Sequence, residues 1–215
     1  MRIASVVLVF LIASCSPLNF RNIESIEQDK YFNYSLVFLS AGMNANELDS
    51  MVVEAAALGH RSFIENKGKD GTLLLAAPFG EPRGNAHWRG IYVFDLANVD
   101  SAYEITGADP SISAGLFTMH IMPWRVDTNL RPLRDKLEQS KQTGMPFKPA
   151  SYALAIGEPT ISVEAARKTM LGKQQLICAG ELGGEGEGQV VLLLNAKTVE
   201  EARIWLELAN PLVSW

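Results

Sequence analysis

The chain has 215 residues, 47% hydrophobic and 20% charged, the balance of a folded globular protein; a disordered tail, a collagen-like repeat and a coiled coil are excluded. Lys and Arg total 19 against 24 Asp and Glu, a net charge of -5, and no basic block occurs, so a nucleic-acid partner is not expected. Two cysteines cannot build a disulfide framework.

The chain opens with a short positive start, Met1-Arg2, and an apolar run from Ile3 to Ala13. That run is too short to span a bilayer as a helix and fits the apolar stretch of a secretory signal. Ile12-Ala13-Ser14-Cys15 then follows the pattern of a bacterial lipobox: an aliphatic residue, two small residues, then Cys. This predicts a lipoprotein signal over residues 1–15, with Cys15 acylated and the chain held to the membrane of the cell envelope. An ordinary signal peptide or a buried N-terminal strand is the alternative. Ser16 stands where inner-membrane lipoproteins often carry Asp, which points to the outer membrane, facing the periplasm. Residues 16–29 read as a polar tether. Cys178, inside the apolar Leu176-Ile177-Cys178-Ala179, reads as a small buried residue.

Residues 30–124 scan as β-α-β-β-α-β. Tyr34 to Leu39 is a strand, and residues from about Ala45 to Lys67 form a helix. On that helix Val53, Ala56, Ala57, His60, Phe63 and Ile64 share one face. Gly68 and Gly71 break it, and a second strand, Thr72 to Ala77, ends at Pro78. A Gly/Pro-containing loop leads to a third strand, Gly90 to Phe94. A short helix, Asn98 to Thr106, ends at Ala108-Asp109-Pro110, and a fourth strand runs from Leu116 to Met122 before Pro123. The order is ferredoxin-like.

Residues 125–150 read as a surface linker with a short helix carrying Leu130, Leu133 and Leu137. Residues 151–215 repeat the first half in degenerate form. Tyr152 to Ile156, Leu176 to Gly180 and Val190 to Leu194 match its first three strands, with a shorter first helix over about Ser162 to Met170. Thr198-Val199-Glu200-Glu201 is a capping box whose helix ends at Ala209-Asn210-Pro211, an echo of Ala108-Asp109-Pro110. The sequence ends where a fourth strand is expected. A four-stranded sheet with helices on one face must cover its other face, and two such sheets can cover each other. The fold expected is α+β: a ferredoxin-like unit plus a degenerate copy, forming an intrachain dimeric α+β barrel that is monomeric through its internal pseudo-dimer.

Three features of residues 31–124 resemble the YCII-related family. His60 lies in the first helix, and Leu73-Leu74-Leu75-Ala76-Ala77-Pro78 sits where the family has its Leu-Leu-x-x-Gly-Pro strand end. The stretch from Ala108-Asp109-Pro110 through Ala114-Gly115-Leu116-Phe117, closing at Pro123-Trp124, is similar to the family's Asp-Pro signature. The resemblance implies a dimeric α+β barrel, a His–Asp dyad at His60 and Asp109, and small phenolic or lactone substrates handled without a cofactor. Ala77 and Ser111 depart from the family's Gly and aromatic residue. In the second half Val163 stands where His60 would recur, and Asn210 replaces the Asp.

Each candidate also has a plain structural reading. His60 is a general base or a satisfied core histidine. Asp109 orients His60 or starts an Asp-Pro turn. His120, on the more polar side of its strand, contacts substrate in the barrel interior or is a polar spot on a buried strand. His87 and Trp88, beside Arg89, read as a solvated loop tip or as part of a loop covering a pocket. The three histidines have no metal-ligand spacing, so no metal is expected. The Gly- and Glu-rich run from Gly180 to Gly188 reads as a flexible acidic connection. Two functions follow. One is a membrane-anchored, non-catalytic or small-molecule-binding scaffold, favoured by the decayed second half. The alternative is a cofactor-independent lyase or isomerase using His60 and Asp109. A pocket-facing pair distinguishes the enzyme, and a filled interior the scaffold.

Overall fold

Tyr34 to Leu39 are all buried, so strand β2 (Phe32–Ala41) is covered on both faces and takes a central place in its sheet. The computed structural model of the chain describes residues 6–11, 31–142, 150–157, 163–169 and 175–209. Helix α1 (Ser50–Lys69) begins later than expected, because Asp49 caps it by accepting a hydrogen bond from the Met51 N–H. Strands β3 (Leu73–Pro78) and β4 (Trp88–Phe94) follow, then α2 (Val99–Gly107), capped by Asn98. Asp109-Pro110 does more than end α2. Asp109 caps a separate turn of helix, α3 (Pro110–Ser113), with Pro at its first position. Strand β5 (Phe117–Val126) continues through Pro123, where a stop is expected. A proline removes one ladder donor, but Trp124 and Val126 beyond it are buried and keep the strand in the sheet.

After β5 come α4 (Arg131–Gln142), β6 (Ala150–Gly157), α5 (Val163–Thr169), β7 (Leu176–Leu182), β8 (Val190–Leu194) and α6 (Val199–Ala209). The linker expected between the halves is tied into the fold. Leu130, at the start of α4, is buried in the core, and its N–H donates to the Tyr34 hydroxyl at 3.0 Å. The acidic connection is ordered too: β7 extends to Leu182, and Gly184–Gly186 form a 3-10 turn.

The strands form one curled, antiparallel sheet in the order β1-β6-β8-β7-β5-β2-β4-β3, where β1 is Val6–Leu11. Numbered within its half, β5-β2-β4-β3 reads fourth, first, third, second. The neighbours β6-β8-β7 repeat first, third, second, and β1 occupies the fourth place beside β6. That strand lies in the segment expected as signal. Cys15, the tether, Asn210 and residues 143–149 lie outside the described residues. The halves join where β5 pairs with β7, Trp124 opposite Leu182, and β1 also approaches β3 across the curl.

Sheet curvature divides the core into three. The inner face holds Tyr34, Leu36, Phe38 and Trp124 of the first half against Leu154, Cys178 and Leu193 of the second. On the outer face, Val37, Phe63, Tyr92, Phe94 and Ala102 pack between the first half's strands and helices. Ala153, Val163, Leu192, Val199 and Leu206 do the same in the second half. Buried side chains of both halves meet in the interior. No helix among the described residues is long and apolar enough to cross a membrane.

Candidate active site

The third turn of α1 and the turn between α2 and α3 meet on the outer face of the sheet, over β4. Gly59 makes the approach possible: a Cβ there would lie 2.6 Å from the Pro110 ring, too close for both elements to keep their places. The contact brings the His60 Nδ1 to 2.9 Å from Asp109 Oδ2. Tyr92, rising from β4 beneath them, donates its hydroxyl to the same Oδ2 at 2.6 Å. Asp109 Oδ1 accepts from the Ser111 N–H at 2.9 Å and the Ser111 hydroxyl at 2.8 Å.

These four bonds fix the protons. Asp109 is fully buried. Burial opposes its ionisation, but the bonds from His60, Tyr92 and the Ser111 N–H outweigh that cost and hold its carboxyl below the usual carboxylate range. A carboxylate only accepts, so each neighbour must donate. Tyr92 and Ser111 have one hydroxyl proton each, and Asp109 receives both. Their oxygens, 3.0 and 3.1 Å from His60 Nδ1, therefore offer it only lone pairs. Nδ1 carries the proton, and in the neutral imidazole Nε2 is the basic nitrogen. Burial, and then the Asp109 charge, push the Tyr92 phenol far up, so it remains a donor.

The His60 side chain is 21% exposed and lies on the wall of a cavity of about 390 Å³. No hydrogen-bond partner reaches its Nε2 among the described residues. The cavity sits at the β3 edge of the sheet, between α1 and α4. Leu39, Ile64, Leu73, Leu75 and Phe117 give it an apolar wall, and Phe117 meets the imidazole edge-on at 5.5 Å between ring centres. The volume falls in the range of small-molecule sites.

The structure joins two of the expected residues and separates the third. His60 and Asp109 are together. His120 is not with them: Phe117, Met119 and Ile121 of β5 face the helices, whereas Met122 and Trp124 face the interior with His120 at its rim. His120 is half exposed and faces Glu185 of the second half at 3.7 Å. It does not line the cavity beside His60, and buried side chains of both halves meet in the interior where a ligand was expected. The loop-tip reading of Trp88 is corrected as well, since its indole packs on Phe38 and Phe79. His87 is exposed. Val163, expected where His60 would recur, opens α5 and is buried among apolar residues.

Sequence reading missed Tyr92, Arg61 and Arg134 as site residues, and saw Ser111 only as a departure from a pattern. Tyr92 lies in an apolar strand where its hydroxyl looks incidental. Its apposition to Asp109 needs β4 beneath α3, which no local pattern shows. Among the described residues no group of three His, Cys, Asp or Glu gathers as a metal requires. No family model matches the chain, and no curated protein matches it.

Proposed function

We propose that the cavity beside His60 is the active site of a cofactor-independent lyase or isomerase acting on a small phenolic or lactone substrate. The observation that carries this is the 2.9 Å contact between His60 Nδ1 and the buried Asp109 carboxylate, with His60 on the wall of an open cavity. His60 Nε2 takes a proton from a substrate O–H or from a carbon next to a carbonyl. The bonding pair stays on the substrate as phenolate or enolate, and Asp109 stabilises the imidazolium. Return of the proton to another atom completes an isomerisation, and departure of a β-leaving group completes an elimination.

The resemblance to the YCII-related family supports the same two residues. The fourth-first-third-second order of β5-β2-β4-β3 and the first-third-second order of β6-β8-β7 support a ferredoxin-like pair forming an intrachain α+β barrel, monomeric because both halves lie in one chain. The lipobox ending at Cys15 supports an envelope lipoprotein, in which cleavage before Cys15 would remove β1 and leave β6 at the edge of the sheet. The buried side chains of both halves that meet in the interior support the scaffold reading there, and the cavity beside His60 opens at the β3 edge of the sheet.

The test is proton exchange. Enolisable lactones and phenols with an exchangeable ring proton are incubated with the protein in deuterated water and followed by proton NMR. The wild-type chain should accelerate exchange of at least one, and His60→Gln should abolish the acceleration while the chain stays folded. Acceleration unchanged in His60→Gln, or none across the panel, counts against the enzyme.

A further inference from the structure

A break in the β2–β4 ladder decides what lies at the mouth of this cavity. Leu39 pairs with Gly90, but the next residue, Ser40, pairs with Trp88, so Arg89 is an extra residue on β4. Bulges of this kind re-aim side chains and recur beside active sites. Along β4, Phe94 and Tyr92 face the helices, and Val93 and Ile91 face the interior. Unbroken alternation would send Arg89 inward and Trp88 out. The bulge reverses this. Trp88 packs on Phe38 and Phe79 at the inner core, and Arg89 lines the cavity with His60 and Tyr92.

Arg89 donates to the carbonyl oxygens of Ala86 and Trp88 at 2.8 and 3.1 Å, both through one terminal nitrogen. Those bonds hold its guanidinium in place, and no carboxylate pairs with it among the described residues. Two further arginines line the same cavity. Arg61 follows His60 on α1. Arg134 of α4 pairs with Asp135 but keeps its Nε–H buried with no acceptor. Among the described residues Glu138 is the only carboxylate of the lining. A chain of net charge -5 thus places three arginines around one mainly apolar cavity.

We propose that this cavity takes a small carboxylic acid with a flat apolar body, its carboxylate held by Arg89 while the body lies on the apolar wall toward His60. The proposal rests on the cavity being the His60 site and adds the class of its substrate. An arginine fork matches a carboxylate bidentately, and here it is already fixed by backbone oxygens, so little freedom is lost on binding. The same positive charge favours the enolate or phenolate that proton removal creates. Arg89 is therefore a binding and specificity residue for this site.

The test compares benzoate with benzamide, its neutral analogue of the same shape, titrated into the full chain and followed at the tryptophan indole N–H signals by NMR. Benzoate should bind at least about tenfold more tightly, as expected for one charge-assisted pair. Arg89→Gln should erase that preference, weakening benzoate far more than benzamide. Arg89→Lys keeps the charge without the fork, should retain part of the preference, and decides the matter if Arg89→Gln does not fold. Equal affinity for the two probes, no binding of either, or a full preference in Arg89→Gln or Arg89→Lys would overturn the proposal. Proton exchange is read separately: its failure beside an intact benzoate preference removes the base and leaves the anion site.

Discussion

Replacing Asp109 by Asn changes one atom's chemistry and leaves the shape of the side chain alone. The amide oxygen can stay with Ser111, whose N–H and hydroxyl both donate to Oδ1. The amide nitrogen then stands where Oδ2 stood, facing the Tyr92 hydroxyl at 2.6 Å and the His60 Nδ1–H at 2.9 Å, donor against donor. Two hydrogen bonds to a buried charge are lost, each worth about 1.5–3 kcal/mol, and Tyr92 recovers part by turning a lone pair toward the new N–H. The net cost should be about 3–5 kcal/mol, the two lost bonds less what Tyr92 recovers. For a chain of this size that lowers the melting temperature by about 6–20 °C. Urea unfolding followed by tryptophan fluorescence gives the energy, and nitrogen-15 NMR of the imidazole gives the proton's position. In the wild-type chain the proton sits on Nδ1, and in Asp109→Asn it should move to Nε2. A variant within about 0.5 kcal/mol of wild type, with Nδ1 still protonated, would refute the proton assignment.

Other outcomes follow from the same contacts. Because folding lowers the Asp109 pKa, the unfolded chain binds more protons in acid. The stability from this group is complete above the unfolded value near 4 and is lost as pH falls through the lower folded value, so acid unfolding of Asp109→Asn should lack that component. Gly180→Ala places a Cβ against Trp124 Nε1 and 2.7 Å from the Arg125 carbonyl oxygen at the β5–β7 seam. A loss of about 1–3 kcal/mol in urea unfolding is expected, and an unchanged midpoint would show that the seam gives way freely. Burial pushes the Cys178 thiol well up. In a Cys15→Ser chain a thiol reagent should label Cys178 only at the rate of unfolding, and fast labelling of the folded chain would contradict its burial.

Much of this protein was legible in its sequence because periodicity is local. The apolar run of β2, the shared face of α1 and the order of strands and helices in residues 30–124 come from patterns of a few residues. The pairing of His60 with Asp109 was legible only through resemblance, since the two are 49 residues apart and nothing near either one points to the other. Ends of elements were less legible. Asp109-Pro110 reads as a stop, yet a capping carboxylate and a proline at the first helical position also start a helix.

Tertiary structure alone decided the rest. Alternation puts His120 on the polar side of β5, but the other sheet half fills the interior and leaves that histidine at the rim. Tyr92 became part of the site because α1 and α3 close over β4. Arg89 reached the cavity because one extra residue in β4 reversed the alternation that sequence reading assumes. Local periodicity states which faces are apolar. What covers each face, and where a ladder slips by one residue, depends on strands far apart in the chain.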